Sequence, residues 1–390
     1  MNDQGRLGWV DAGRGIAILL VVLYHSARWL DATGWEQVNG YVTTLRMPFF
    51  FVLSGFLARR VVTMGWAELW ERRLSLYLWV FVLWEVVGAT AYVVGFAIRG
   101  APLGVLSLAR DVLLAPFFPM YELWFIWALA VFCVVARLAR RVHPAIQIGV
   151  AAAPSAIALA PGFDLGNLGW NGLLKYYFFF AAGMYGYRVF LRWVSAAWRW
   201  RASAVALWAA CVVVAHVSGA DQTVGVGFVL SLLGVFAGLA LSSAVAGWGA
   251  LRRLGTNTLP VYVGHTPVII LISSVLVATV PDVVPAWNAI LCPALAAVAV
   301  VTAQAFYRMA SGTPAQYLFR PPRAVSRAGL GSAEPGPFRP HSEPKSQESA
   351  ARRESSVGSD LTTSSGSRGD DAARTSAPAS SSEFDPPGRT

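Results

Sequence analysis

Runs of about twenty apolar residues recur between residues 12 and 307, broken by short arginine-bearing connections. A helix of that length matches the hydrocarbon thickness of a bilayer. Repeated stretches of this length predict an all-α integral membrane protein. About ten transmembrane helices can be placed, at roughly 12–30, 44–62, 74–98, 120–138, 145–161, 173–191, 203–219, 224–246, 258–280 and 285–307. Charged residues make up only 13% of the chain, against about 25% in soluble domains.

The net charge of +10 does not imply a nucleic-acid partner, because the basic residues fall mainly between the apolar runs and near the C-terminus. With the N-terminus in the cytoplasm, the inner connections hold Arg59, Arg60, Arg72, Arg73, Arg137, Arg140, Arg141, Arg188, Arg192, Arg199, Arg201, Arg252 and Arg253. The outer ones hold Arg99 and Arg110, with Arg28, Arg46 and Lys175 near span ends. This asymmetry predicts that both termini are cytoplasmic and that the protein is a multi-pass component of the plasma membrane. The first apolar run is followed by no clear small-residue cleavage site, so it reads as a retained span. Residues 1–311 form the expected membrane domain, and from residue 312 Pro, Ser, Arg, Glu and Gly replace the apolar runs. Residues 312–390 therefore read as a low-complexity cytoplasmic tail, disordered from about 321 onward.

One span carries chemistry. Asp11 to Leu30 has an arginine near its start and a histidine towards its end, with the apolar run Ile16 to Tyr24 between them. Arg14 and His25 are eleven residues apart, close to three helical turns at about 100° per residue, so they share a face. The rise between them is about 16 Å, near half a bilayer core. Asp11 falls within about 40° of the same stripe. Ionisable groups within a span suggest a site. The plainer alternative is a topology anchor at Arg14 and a satisfied interfacial histidine at His25. Elsewhere, Glu85 sits near the middle of its expected span and needs a partner, and Glu122 falls near an outer interface. Tyr262 and His265, three residues apart, share a helix face, and Pro267 loosens that helix by removing an amide proton. Pro48 is expected near the outer start of its helix, where a missing amide proton costs least. Asn167, Trp170, Asn171 and Lys175 form an outer cluster suited either to an interfacial belt or to a sugar. The cysteines Cys133, Cys211 and Cys292 lie singly in apolar stretches, and no metal-ligand spacing is present.

The stretch Asp11-Ala12-Gly13-Arg14-Gly15-Ile16-Ala17 with His25, followed by Arg46-Met47-Pro48-Phe49-Phe50-Phe51-Val52-Leu53-Ser54-Gly55-Phe56-Leu57, resembles the membrane-bound acyltransferase-3 family. It is most similar to the branch related to fucose 4-O-acetylases. Tyr121-Glu122-Leu123-Trp124-Phe125 resembles the family's Trp-Phe stretch, and Leu254 to Pro267 its late segment ending in Tyr, two residues, His. The resemblance implies transfer of an acyl group, usually acetyl from acetyl-CoA, to a hydroxyl of a carbohydrate, glycolipid or secondary metabolite. No permanently bound cofactor and no nucleic acid is implied; membrane lipid, acyl-CoA and the acceptor are the expected partners.

On this reading Arg14, with Arg59, Arg60, Arg72 and Arg73, meets the phosphates of the donor, since guanidinium pairs with phosphate through two hydrogen bonds. His25 suits deprotonation of an acceptor hydroxyl, or carries the acyl group covalently. Asp11, about 21 Å from His25 along a straight helix, is expected to hold Arg14 and cap the helix start. Arg46, Glu85, Glu122, Tyr262 and His265 are candidates to support His25 or bind the acceptor. The rival expectation is a transporter or flippase, which ten spans and broken helices would also suit.

Overall fold

The computed structural model describes residues 3–119 and 121–327. Among them every regular element is a helix or a helical turn. The long ones are α1 (Asp3–Trp29), α2 (Thr33–Ala58) and α3 (Trp66–Ile98). A surface helix, α4 (Val105–Leu114), precedes α5 (Trp124–Leu138), α6 (Pro144–Ala158) and α7 (Leu168–Tyr185). The short α8 (Tyr187–Val194) leads to α9 (Trp198–Ser218) and α10 (Val226–Ala244). The short α11 (Gly249–Thr256) leads to α12 (Thr258–Thr279) and α13 (Val283–Ala310). Each of the ten expected spans coincides with a helix. Seven are long and apolar enough to cross a bilayer. The other three, α5, α6 and α7, have 15, 15 and 18 residues.

α1 is the axis of the bundle. It packs on α2, α10, α11, α12 and α13, and Ala12, Ala17, Ile18 and Val22 have no exposed surface. Two glycines allow the closest approaches. A Cβ at Gly255 would collide with the carbonyl of Asp11, so only glycine lets α11 lie directly against α1. A Cβ at Gly55 would collide with the carbonyl of Phe180, where α2 crosses α7.

Three expectations are corrected. α1 begins at Asp3, so Asp11 lies within the helix and does not cap it. α2 begins at Thr33, because the mixed polar and apolar stretch 33–43 continues the helix beyond the apolar run, and Pro48 is therefore interior. Residues 312–327, expected in the tail, fold back along α3: Pro314–Leu318 forms a 3₁₀ turn and Arg323–Arg327 a single helical turn, α14. Phe319, 2% exposed, gives that segment the apolar anchor that its Pro- and Arg-rich composition hides. The rest of the expected tail, from residue 328, lies outside the described residues.

Candidate active site

α1 runs alongside the N-terminal half of α12, and the two place their polar groups opposite one another. Arg14 Nη2 donates to Thr258 Oγ1 at 2.7 Å. One end of a cavity of about 210 Å³ starts here, lined by Arg14, Ser54, Arg73, Tyr77, Thr258 and Tyr262 among others. Arg73 is fixed by two bonds: Nη2 donates to the Leu57 carbonyl at 2.9 Å and Nη1 to the Tyr77 hydroxyl at 3.3 Å. Two guanidinium groups, from α1 and the start of α3, thus converge on one small chamber.

A second cavity, of about 340 Å³, lies further along α1. Its lining includes Tyr24, His25, Arg28, Arg46, Tyr92, Tyr121, Glu122 and Tyr176. His25 Nδ1 is 3.8 Å from Glu122 Oε1, too far for a hydrogen bond but within reach of an ion pair, and it has no other partner among the described residues. Glu122 stands on the turn before α5 and is held at both ends. Tyr92 OH donates to its Oε1 at 2.7 Å, and Tyr262 OH donates to its backbone carbonyl at 2.7 Å. The Arg46 guanidinium lies over the Tyr24 ring, 4.1 Å from the centroid, and reaches Asn39 Oδ1 at 3.5 Å. Arg28 donates to the Tyr24 hydroxyl at 3.3 Å.

The two chambers share three wall residues, Phe50, Phe125 and Tyr262. Phe50 and Phe125 stack with centroids 4.6 Å apart, and Phe125 and Tyr262 meet at 5.5 Å. This aromatic layer separates the chamber of Arg14 and Arg73 from that of His25, Glu122 and Arg46.

His265 is a neighbour of His25, with ring centroids 5.1 Å apart, but it lines neither chamber. Its Nδ1 is 2.9 Å from the Val261 carbonyl, which can only accept, so Nδ1 carries the proton. In the neutral ring Nε2 then accepts from the Thr266 hydroxyl at 3.2 Å. Both nitrogens are engaged, so His265 packs beneath His25 and its own nitrogens are spent. Glu85 is buried, with both carboxylate oxygens lacking a hydrogen bond among the described residues, and it lines neither chamber.

The expected donor arginines separate. Arg73 joins Arg14, whereas Arg59, Arg60 and Arg72 do not line the chamber. Arg59 turns back to the Phe56 carbonyl at 3.4 Å, and Arg72 pairs with Glu68 at 3.2 Å one turn away. Arg14 hydrogen-bonds Thr258, and the Asp11 carboxylate attracts it at longer range. In the outer cluster, Asn167 caps α7 through Trp170 N at 3.1 Å, Asn171 donates to Asp164 at 2.6 Å, and Trp170 donates to the Phe117 carbonyl at 2.9 Å. These groups hold their loop together.

Sequence reasoning missed several lining residues. Tyr92 follows Glu85 by seven positions, two helical turns on one face, which could have drawn attention to it. Arg28 follows His25 by three positions, but in sequence it is indistinguishable from a topology-setting arginine at a span end. Thr258 and Tyr77 carried no signal before α1, α3 and α12 were brought together.

A bundle of apolar helices with an imidazole opposite a carboxylate, and arginines in an adjoining cavity, defines a multi-pass membrane protein equipped for group transfer. The chain matches the acyltransferase domain family Acyl_transf_3 over residues 7–307 and belongs to that family. Over 90 residues it is 30% identical to the inner membrane protein YcfT of Escherichia coli (strain K12), a match covering 19% of this chain and 25% of that protein. The chain thus spans about a quarter of the length of that relative. No solved structure matches.

Proposed function

We propose that this protein is an acyltransferase that takes its acyl group, acetyl or another short chain, from acyl-CoA and delivers it to a hydroxyl of an envelope carbohydrate, glycolipid or secondary metabolite. The observation that carries this reading is the pair of chambers on either side of Phe50, Phe125 and Tyr262. Arg14 and Arg73 suit the phosphates of CoA, and the neutral thioester arm then reaches past the aromatic layer towards His25. His25 takes the proton of the acceptor hydroxyl as the oxygen attacks the thioester carbonyl. Collapse of the tetrahedral intermediate breaks the C–S bond, and the proton passes to the departing thiolate. Glu122 faces Nδ1 and favours the imidazolium that forms in between. Arg46 and Arg28 line the same space and offer donors for the developing oxyanion. A covalent acyl-imidazole at His25 is the alternative route to the same product. The reading includes ten crossings of the plasma membrane with both termini in the cytoplasm, in keeping with the arginine asymmetry, and the fucose 4-O-acetylase-like branch as the nearest in chemistry. Purified protein in vesicles, given acetyl-CoA labelled in the acetyl group, should transfer or slowly hydrolyse the label. Absence of both, with no CoA binding, would overturn the donor assignment.

A further inference from the structure

α3 opens with one regular turn, Trp66–Leu69, and then departs from α-helical geometry. Trp70–Leu74 forms a π-turn, with i→i+5 geometry that is rare and recurs at functional sites. Arg73, which lines the Arg14 chamber, belongs to this turn. The partner that holds the turn comes from residues 317–325, far along the chain. Trp70 Nε1 donates to the Val325 carbonyl at 3.1 Å, Trp79 Nε1 to the Tyr317 carbonyl at 2.7 Å, and Trp84 Nε1 to the Leu318 carbonyl at 2.8 Å. Phe319 packs between these bonds against Trp84 and Tyr307, with ring centroids 5.5 and 5.0 Å away. Three indoles along one helix thus grip the backbone of residues 317–325. An interfacial belt would leave indole protons to water and headgroups; here all three go to a single chain segment.

We propose that residues 314–327 are a strap that holds the π-turn and so aims Arg73 into the donor chamber, with Trp70 as the positioning residue. This rests on the reading of Arg73 as a ligand of the acyl-CoA phosphates. Trp70 opens the π-turn and Arg73 lies three residues on, so a shift of the turn to regular α-helix would rotate Arg73 by a sizeable fraction of a turn. Trp79 and Trp84 hold the same strap beyond the turn and do not set the direction of Arg73.

The test uses the full-length protein in lipid nanodiscs with acetyl-CoA as probe. Trp70→Phe keeps a ring but removes the donor. It should raise KM for acetyl-CoA about three- to tenfold with kcat within twofold, the size expected for one lost hydrogen bond. Amide exchange at residues 70–74 should quicken. Trp79→Phe should lower thermal stability and leave KM within twofold. In an Arg73→Ala background, Trp70→Phe should add nothing to KM. Wild-type KM and exchange in Trp70→Phe, or a full additional KM effect on top of Arg73→Ala, would overturn the strap. Should the wild-type protein neither bind nor turn over acetyl-CoA, the donor reading fails by itself. Exchange at 70–74 then decides the strap: faster in Trp70→Phe supports it, unchanged overturns it.

Discussion

The two chambers are built from similar residue types and finished differently. In the chamber of Arg14 and Arg73 both guanidinium groups are tied down, to Thr258, to the Leu57 carbonyl and to Tyr77. In the chamber of His25 the reacting groups are held near one another without being joined. His25 Nδ1 stands 3.8 Å from Glu122 and has no hydrogen-bond partner among the described residues. A binding site gains from groups already ordered, since less freedom is lost when the ligand arrives. A proton-transfer site gains from groups that close up only in the reacting complex. On the proposed reading, the contrast suits binding in one chamber and chemistry in the other.

The largest test of that division is His25→Ala. It should slow single-turnover transfer about 10²–10⁴-fold, the usual contribution of a general base, while CoA affinity stays close to wild type. A loss of CoA affinity as great as that from Arg14→Ala would erase the distinction between the chambers. Glu122→Gln comes next. It removes the charge facing the imidazolium but keeps an acceptor for Tyr92, and should slow transfer about ten- to a hundredfold, the equivalent of about 1.5–3 kcal/mol, without weakening CoA. An unchanged rate would reduce Glu122 to a structural anchor of its turn. On the binding side, Arg14→Ala should weaken CoA by about 1.5–3 kcal/mol, read by calorimetry, with transfer from the bound complex little changed. The smallest effect belongs to Thr258→Val, which frees the Arg14 side chain and should weaken CoA by about 0.5–1.5 kcal/mol through lost ordering alone. If Thr258→Val costs as much as Arg14→Ala, Thr258 itself touches the ligand. Each variant is first checked for membrane insertion and melting temperature, since a buried group left without its partner can also unfold a bundle.

Much of the helical frame was readable from apolar run length, because the bilayer imposes one thickness on every crossing. The shared face of Arg14 and His25 followed from the helical repeat. Glu122 was placed near an outer interface, but only the fold brings its turn against His25. The donor loop was less legible. Four arginines in two adjacent pairs look equivalent in sequence, yet successive residues on a helix diverge by about 100°, and the π-turn adds a further offset. So Arg73 points into the bundle while Arg72 pairs with Glu68. The strap was hidden for another reason. Its bonds to α3 use backbone carbonyls, which every residue has, so only the tryptophan end leaves a mark in the sequence. Pro48 was misplaced because a helix can continue past the apolar run that announces it.

The aromatic layer of Phe50, Phe125 and Tyr262 also has an electrical meaning. With the two chambers open to opposite sides of the bilayer and filled with water, as the proposed reading has them, most of the transmembrane voltage would drop across those few ångströms of ring rather than across the whole bilayer. Carrying one elementary charge through would then involve about 2.3 kcal/mol for every 100 mV. A neutral thioester arm crosses such a field freely, whereas phosphates drawn along behind it would not. On the proposed reading, such a septum would sort the donor by charge, letting the acyl end through and holding the nucleotide end back.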